Sequence, residues 1–138
     1  MYKRILVPVD LDHVQTLTTA LDLAAKMAQD GNGSLMLVGV VDVAPTATTR
    51  TDGDRMADAL ATFSKEQSDK YGIKIVDHVQ LRGDLHMNVG KDIVTAAKDN
   101  SCDLIVMASH VPGLKEHIIA SNAGYVASHA PMSVFVVR

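Results

Sequence analysis

The sequence predicts an α/β fold: a doubly wound, five-stranded parallel sheet with four helices. Three observations carry the prediction. Five short apolar runs, most of them rich in β-branched residues, recur along the 138 residues. Between them lie segments with apolar residues at helical spacing. The links are short and hold Gly, Pro and Asp, so strands and helices alternate, and alternation with right-handed crossovers makes a parallel sheet. No repeat, low-complexity stretch or linker divides the chain, and residues 1–138 read as one domain with a core of its own.

The first run, Ile5-Leu-Val-Pro-Val9, suits a strand buried on both faces, and Pro8 ends its ladder. Asp10 to His13 form a turn in which Asp10 or Asp12 caps the next helix. That helix extends to about Gln29, with Leu17, Leu21, Ala24, Ala25 and Ala28 on one face, and Gly31-Asn-Gly33 supplies a left-handed stop. Ser34 to Val43 is a second buried strand, in which Gly39 either weakens the strand or admits a close approach. Ala44 to Asp54, with Pro45, Gly53 and a Thr cluster, reads as a mobile loop.

Arg55 to Tyr71 is an amphipathic helix with Met56, Ala59, Leu60 and Phe63 inward, stopped by Gly72. Ile73 to Leu81 alternates: Ile73, Ile75, Val79 and Leu81 on one face, Lys74, His78 and Gln80 on the other, with Val76-Asp77 breaking the pattern as at a bulge. One wet face places this strand at a sheet edge. Arg82-Gly-Asp84 is a turn. Met87 to Asn100 is a helix with Val89, Ile93, Val94 and Ala97 inward, and Asp103 to Met107 is another buried strand. A helix starting near Ser121-Asn122 and running to His129, then a strand within Ala130 to Arg138, complete the chain.

Composition excludes several classes of function. A net charge of −3 offers no electrostatic footprint for nucleic acid. No run approaches the roughly 18 apolar residues of a membrane span. The lone Cys102 excludes an internal disulfide and a cysteine zinc site and fits a reducing compartment. Met1-Tyr-Lys-Arg-Ile-Leu-Val7 enters a strand without a signal-peptide plan, so a cytoplasmic location is expected. The six histidines include no pair at helical ligand spacing with a carboxylate partner, and no metal site is expected. There is no nucleophile elbow, no P-loop lysine and no base poised by a partner, so no catalytic residue is assigned.

The segment that concentrates chemistry is Met107-Ala-Ser-His-Val-Pro-Gly113 with the helix start at Ser121-Asn122. A strand ending in a polar loop that leads to a helix presents free backbone N–H groups to an anion. Ligands of doubly wound sheets sit outside the carboxyl ends of the strands, where the strand order reverses. If the first and fourth strands are neighbours there, Pro8 to Asp10 and Ala108 to Gly113 line one crevice.

These residues carry a family resemblance. Ile5-Leu-Val-Pro-Val-Asp10 resembles the opening strand of the universal stress proteins. Asp103-Leu-Ile-Val-Met-Ala-Ser-His110 resembles their fourth strand and phosphate loop, and Ser121-Asn-Ala123 with His129-Ala-Pro-Met-Ser-Val-Phe-Val-Val137 resembles their last helix and strand. The resemblance covers the whole chain in order. It implies an adenine-nucleotide alpha hydrolase-like sheet in the order 3-2-1-4-5, a homodimer joined through the C-terminal strand (Ser133 to Val137), and binding of ATP or AMP, with Mg²⁺ if ATP.

ATP-binding members carry Gly-x-x-Gly, a spacer, and Gly-Ser or Gly-Thr. Ala108, Val111 and Ala120 replace the three glycines here, and only Ser121 matches. The loop instead resembles the family branch with Ala-Ser-His-x-Pro. By this resemblance Pro8 and Val9 flank the base, Asp10 sits near adenine or ribose, and Val40 reads adenine through its backbone. Met107 packs beside the ribose, while Ala108, Ser109, His110, Gly113, Ser121 and Asn122 face the phosphates.

Each residue also has a plainer reading: a connecting loop, a helix cap at Asp10, core side chains at Val40 and Met107. Val111 resists positive φ and Pro112 lacks an N–H. The implied function is a dimeric stress-response protein that binds an adenine nucleotide without efficient turnover. The alternatives are a dimer acting through protein contacts alone and a slow ATPase.

Overall fold

The computed structural model describes residues 1–42, 47–82, 89–109 and 122–138. In chain order the elements are β1 (Arg4–Pro8), a 3-10 turn (Leu11–Thr16), α1 (Thr18–Asp30), β2 (Ser34–Asp42), α2 (Ala47–Tyr71), β3 (Ile75–Arg82), α3 (Val89–Asp99), β4 (Leu104–Ala108), α4 (Ala123–His129) and β5 (Ser133–Val137). All strand pairings are parallel and the order is β3-β2-β1-β4-β5, as the family resemblance implies.

Strand alternation divides the core in two. Ile5, Val7, Leu35, Leu37, Leu104 and Val106 point to one face and pack with Leu17, Leu21, Ala24, Ala25 and Ala28 of the α1 segment and Leu60 and Phe63 of α2. Leu6, Met36, Val38, Ile105 and Met107 point to the other and pack with Val89, Ile93, Ala96 and Ala97 of α3 and Ala123 and Val126 of α4. Both faces are covered, which is why the central strands are nearly continuous apolar runs. At the amino end, the Asp103 carboxylate accepts from the backbone N–H groups of Lys3 (2.8 Å) and Arg4 (3.0 Å), clamping the start of β1 to that of β4.

Several expectations change in detail. The segment read as a loop is helical from Ala47 onward, because extending a nucleated helix adds one hydrogen bond for each residue fixed; residues 43–46 lie outside the described set. Ala59 is exposed, and Ser64, 3% exposed, takes an inward place with Leu60 and Phe63. Register along β2 and β3 is unbroken from Leu35–Ile75 to Asp42–Arg82, so Val76-Asp77 is no bulge; Val76 packs on the second cluster.

The left-handed residue after α1 is Asn32, φ 50°, not a glycine. Gly33 is required for a different reason: a Cβ there would stand 2.7 Å from the carbonyl oxygen of Tyr2 and 2.9 Å from that of Lys3. Gly39 likewise admits α2, with Met56 Sδ 3.0 Å from where its Cβ would lie. Gly72, φ 65°, ends α2 as expected.

Candidate functional site

The sheet opens where β1 and β4 part. β1 pairs with β2 along its whole length, and the Val9 N–H still donates to the Val38 carbonyl at 2.8 Å. Toward β4 it pairs only at Ile5–Leu104 and Leu6–Ile105. β4 stays with β5 through Ala108–Val137, and the Ser109 N–H donates to the Val137 carbonyl at 2.7 Å. Each central strand therefore follows its outer neighbour at its carboxyl end. The chain then leaves β1 for a helix on one face and, beyond β4, reaches α4 on the other. This is the reversal of strand order at which such sheets hold ligands.

Pro8, Val9 and Asp10 stand on one side of this split, and Met107, Ala108 and Ser109 on the other. The side chains of Val9 and Ala108 are buried in the first cluster and that of Met107 in the second, so their free groups toward the split are backbone. Val40 lies farther along β2, opposite Gln80, half-buried against the second cluster. Asn122 directly precedes α4, and its carbonyl accepts from the Val126 N–H at 3.0 Å. His110, Gly113 and Ser121 lie outside the described residues, as do Val111, Pro112 and Ala120.

Asp10 is the charged side chain at the end of β1. In extended backbone, it caps the 3-10 turn: Oδ1 accepts from the Asp12 N–H at 3.0 Å. Oδ2 lies 2.9 Å from His13 Nδ1. Sequence reasoning assigned His13 no role; the signal available was a carboxylate three residues before an imidazole across a turn. Cys102 is 6% exposed, with Sγ 3.9 Å from Met36 Sδ. Burial pushes its thiol above the ordinary range, against the opposing pull of Arg4, and a thiol kept protonated is a poor nucleophile. Among the described residues no three His, Cys, Asp or Glu side chains gather to hold a metal, and no helix is long and apolar enough to cross a membrane.

The model of the universal stress protein family matches residues 1–138. The chain belongs to the universal stress protein family. Among curated relatives, universal stress protein G of Shigella flexneri is 27% identical over 147 residues, covering 100% of both chains. Among solved structures, a universal stress protein family member from Burkholderia pseudomallei is 26% identical, with a TM-score of 0.69 over 99% of this chain and 96% of its own. A universal stress protein from Archaeoglobus fulgidus, in complex with dAMP, is 22% identical and shares the fold, with a TM-score of 0.71 over 99% and 98% of the two chains.

Proposed function

We propose that this universal stress protein binds an adenine nucleotide, ATP or AMP, in the split between β1 and β4, without efficient turnover and as a homodimer. The observation that carries the reading is the parting of β1 and β4 beyond Leu6 and Ile105 at the point where strand order reverses. A relative with the same fold, in complex with dAMP, supports the ligand class. In this reading Pro8 and Val9 flank the base, Val40 reads adenine through its backbone, and Asp10 sits near the adenine or ribose. Met107 stands beside the ribose through its backbone. Ala108, Ser109 and Asn122, with His110, Gly113 and Ser121, face the phosphates, and Mg²⁺ accompanies ATP. The test is calorimetry on nucleotide-stripped protein with AMP and with ATP and Mg²⁺. Saturable heat that is lost in Asp10→Ala supports the proposal. No heat and no thermal shift at millimolar nucleotide overturns it.

The dimer is proposed through β5. Its burial is low along the strand, Phe135 is 42% exposed, and β5 is an edge of the sheet, an open ladder that a second copy would complete. Sedimentation should show a dimer in the native chain and a monomer in Phe135→Glu. If the dimer forms but no nucleotide binds, the exposed Phe135 favours the second reading, a protein acting through contacts alone. Phosphate release above a blank, abolished in Ser121→Ala, would instead mark a slow ATPase.

A further inference from the structure

The end of α1 lies at the amino ends of the strands, away from the split between β1 and β4. It closes with interlocked bonds: the Asn32 N–H donates to the Gln29 carbonyl at 3.2 Å and the Gly33 N–H to the Ala28 carbonyl at 2.7 Å. With Asn32 at φ 50°, this is the Schellman stop of a helix, with asparagine in the left-handed place. The same residues form an Asn-Gly pair, and Asn32 is exposed. When glycine follows asparagine, no Cβ shields the next backbone nitrogen, which can then attack the side-chain amide.

We propose that Asn32 is a site of covalent modification, deamidation by the Gly33 backbone nitrogen, which the closed end of α1 holds in check and its opening releases. In the reaction the Gly33 nitrogen bonds to Asn32 Cγ as the Cγ–Nδ2 bond breaks. The proton of the Gly33 N–H goes to Nδ2, which leaves as ammonia, and a cyclic imide remains. Water then opens the imide at Cγ to give aspartate. Opening at the main-chain carbonyl gives isoaspartate instead, which lengthens the chain by one carbon. Neither route consumes an oxidant or a reductant. The fold opposes the first step. The attacking nitrogen is tied through its hydrogen to the carbonyl of the fully buried Ala28. Swinging it toward Cγ turns the peptide plane between Asn32 and Gly33 and shifts Gly33. That residue has no room to move, since even a Cβ would stand 2.7 Å from the Tyr2 carbonyl oxygen and 2.9 Å from that of Lys3. Beyond it the Ser34 N–H donates to the Lys3 carbonyl at 2.9 Å, pinning the chain to β1. Loss of the Gly33 bond alone slows the attack by about tenfold. The site owes nothing to the nucleotide reading and stands or falls without it.

The experiment incubates the full chain at one mildly alkaline pH and one temperature, folded in buffer and unfolded in guanidinium chloride. Mass spectrometry follows the peptide that contains Asn32, with the aspartate and isoaspartate products separated by chromatography. The unfolded chain should deamidate at Asn32, and the folded chain at least about tenfold more slowly. Rates within about threefold of each other would overturn the guarding by the helix end. No conversion in the unfolded chain would overturn the site itself. After refolding, the isoaspartate form should melt below the native chain. Asn32→Asp keeps the backbone and tolerates the left-handed place, so it should melt close to native. An isoaspartate form that melts with the native chain would mean that the turn accepts the extra carbon, and the proposed opposition between closed turn and modification would fail.

Discussion

Two serines on one helix make opposite predictions. Ser64 is 3% exposed, and its hydroxyl has no hydrogen-bond partner among the described residues. Ser68, one turn later, donates its hydroxyl to the Ile73 carbonyl at 2.6 Å and closes the end of α2 onto the start of β3. Replacing each with Ala brings the same gain in helix propensity, about 0.5 kcal/mol. A buried hydroxyl without a partner costs about 1–3 kcal/mol, less a small packing loss once the oxygen is removed. Ser64→Ala should therefore stabilise by about 1–3 kcal/mol, raising the melting midpoint by about 3–10 °C for a chain of this size. Ser68→Ala loses a made bond and orphans a carbonyl, and should destabilise by about 1 kcal/mol. Urea denaturation reads both as shifts in midpoint at constant slope. If the two variants shift stability in the same direction by the same amount, hydroxyl partnership is not what separates them. If Ser64→Ala loses 1 kcal/mol or more, that hydroxyl is satisfied and the reasoning is wrong.

Three further outcomes follow from the same structure. Asp103→Ala should cost about 2–3 kcal/mol, since two backbone donors lose a charged acceptor and one of them is exposed enough to rehydrate; Asp103→Asn should cost about half as much, both measured by urea midpoint. Gly33→Ala should destabilise by about 3 kcal/mol or more, because its Cβ meets backbone that no rotamer can move; a midpoint within about 0.5 kcal/mol of native would refute that packing. Stability should decline above pH 9. Cys102 and then Tyr71 are both raised, the first by burial and the second by burial and then the Asp22 carboxylate its hydroxyl bonds. The unfolded chain then loses these protons before the folded one does, so the contribution is whole below the ordinary values of 9.0 and 10.0 and is lost as pH rises from there through the raised values of the folded chain. Tyr71→Phe should flatten the decline above pH 10, as followed by thermal melts across pH.

Legibility differed between fold and site. Apolar runs such as Leu35-Met-Leu-Val-Gly-Val-Val41 and the Leu17, Leu21, Ala24 stripe carry period and punctuation in the residues themselves, and both were legible. Ala59 and Ser64 were not, because an amphipathic stripe has a soft margin and only the angle at which α2 meets β2 and β3 decides which border residue turns inward. Gly31-Asn-Gly33 announced a helix stop, but its left-handed turn falls on Asn32, while Gly33 is held to glycine by the carbonyls of Tyr2 and Lys3, residues distant along the chain. At the site, Asp10 was legible as a polar residue closing an apolar strand. Its tie to His13 was not, since it depends on a backbone break inside the turn.

By itself the sequence determined most of the elements, their alternation and most of the residues that bury, because periodicity and turn chemistry are local. It placed Asp10 and Ser109 at strand ends by the same means. Only the tertiary structure decided that β1 and β4 pair for two residues and then separate. Beyond that point the Val9 N–H goes to the Val38 carbonyl and the Ser109 N–H to the Val137 carbonyl. No single segment encodes that outcome, because it depends on which neighbour each central strand follows once four strands lie side by side.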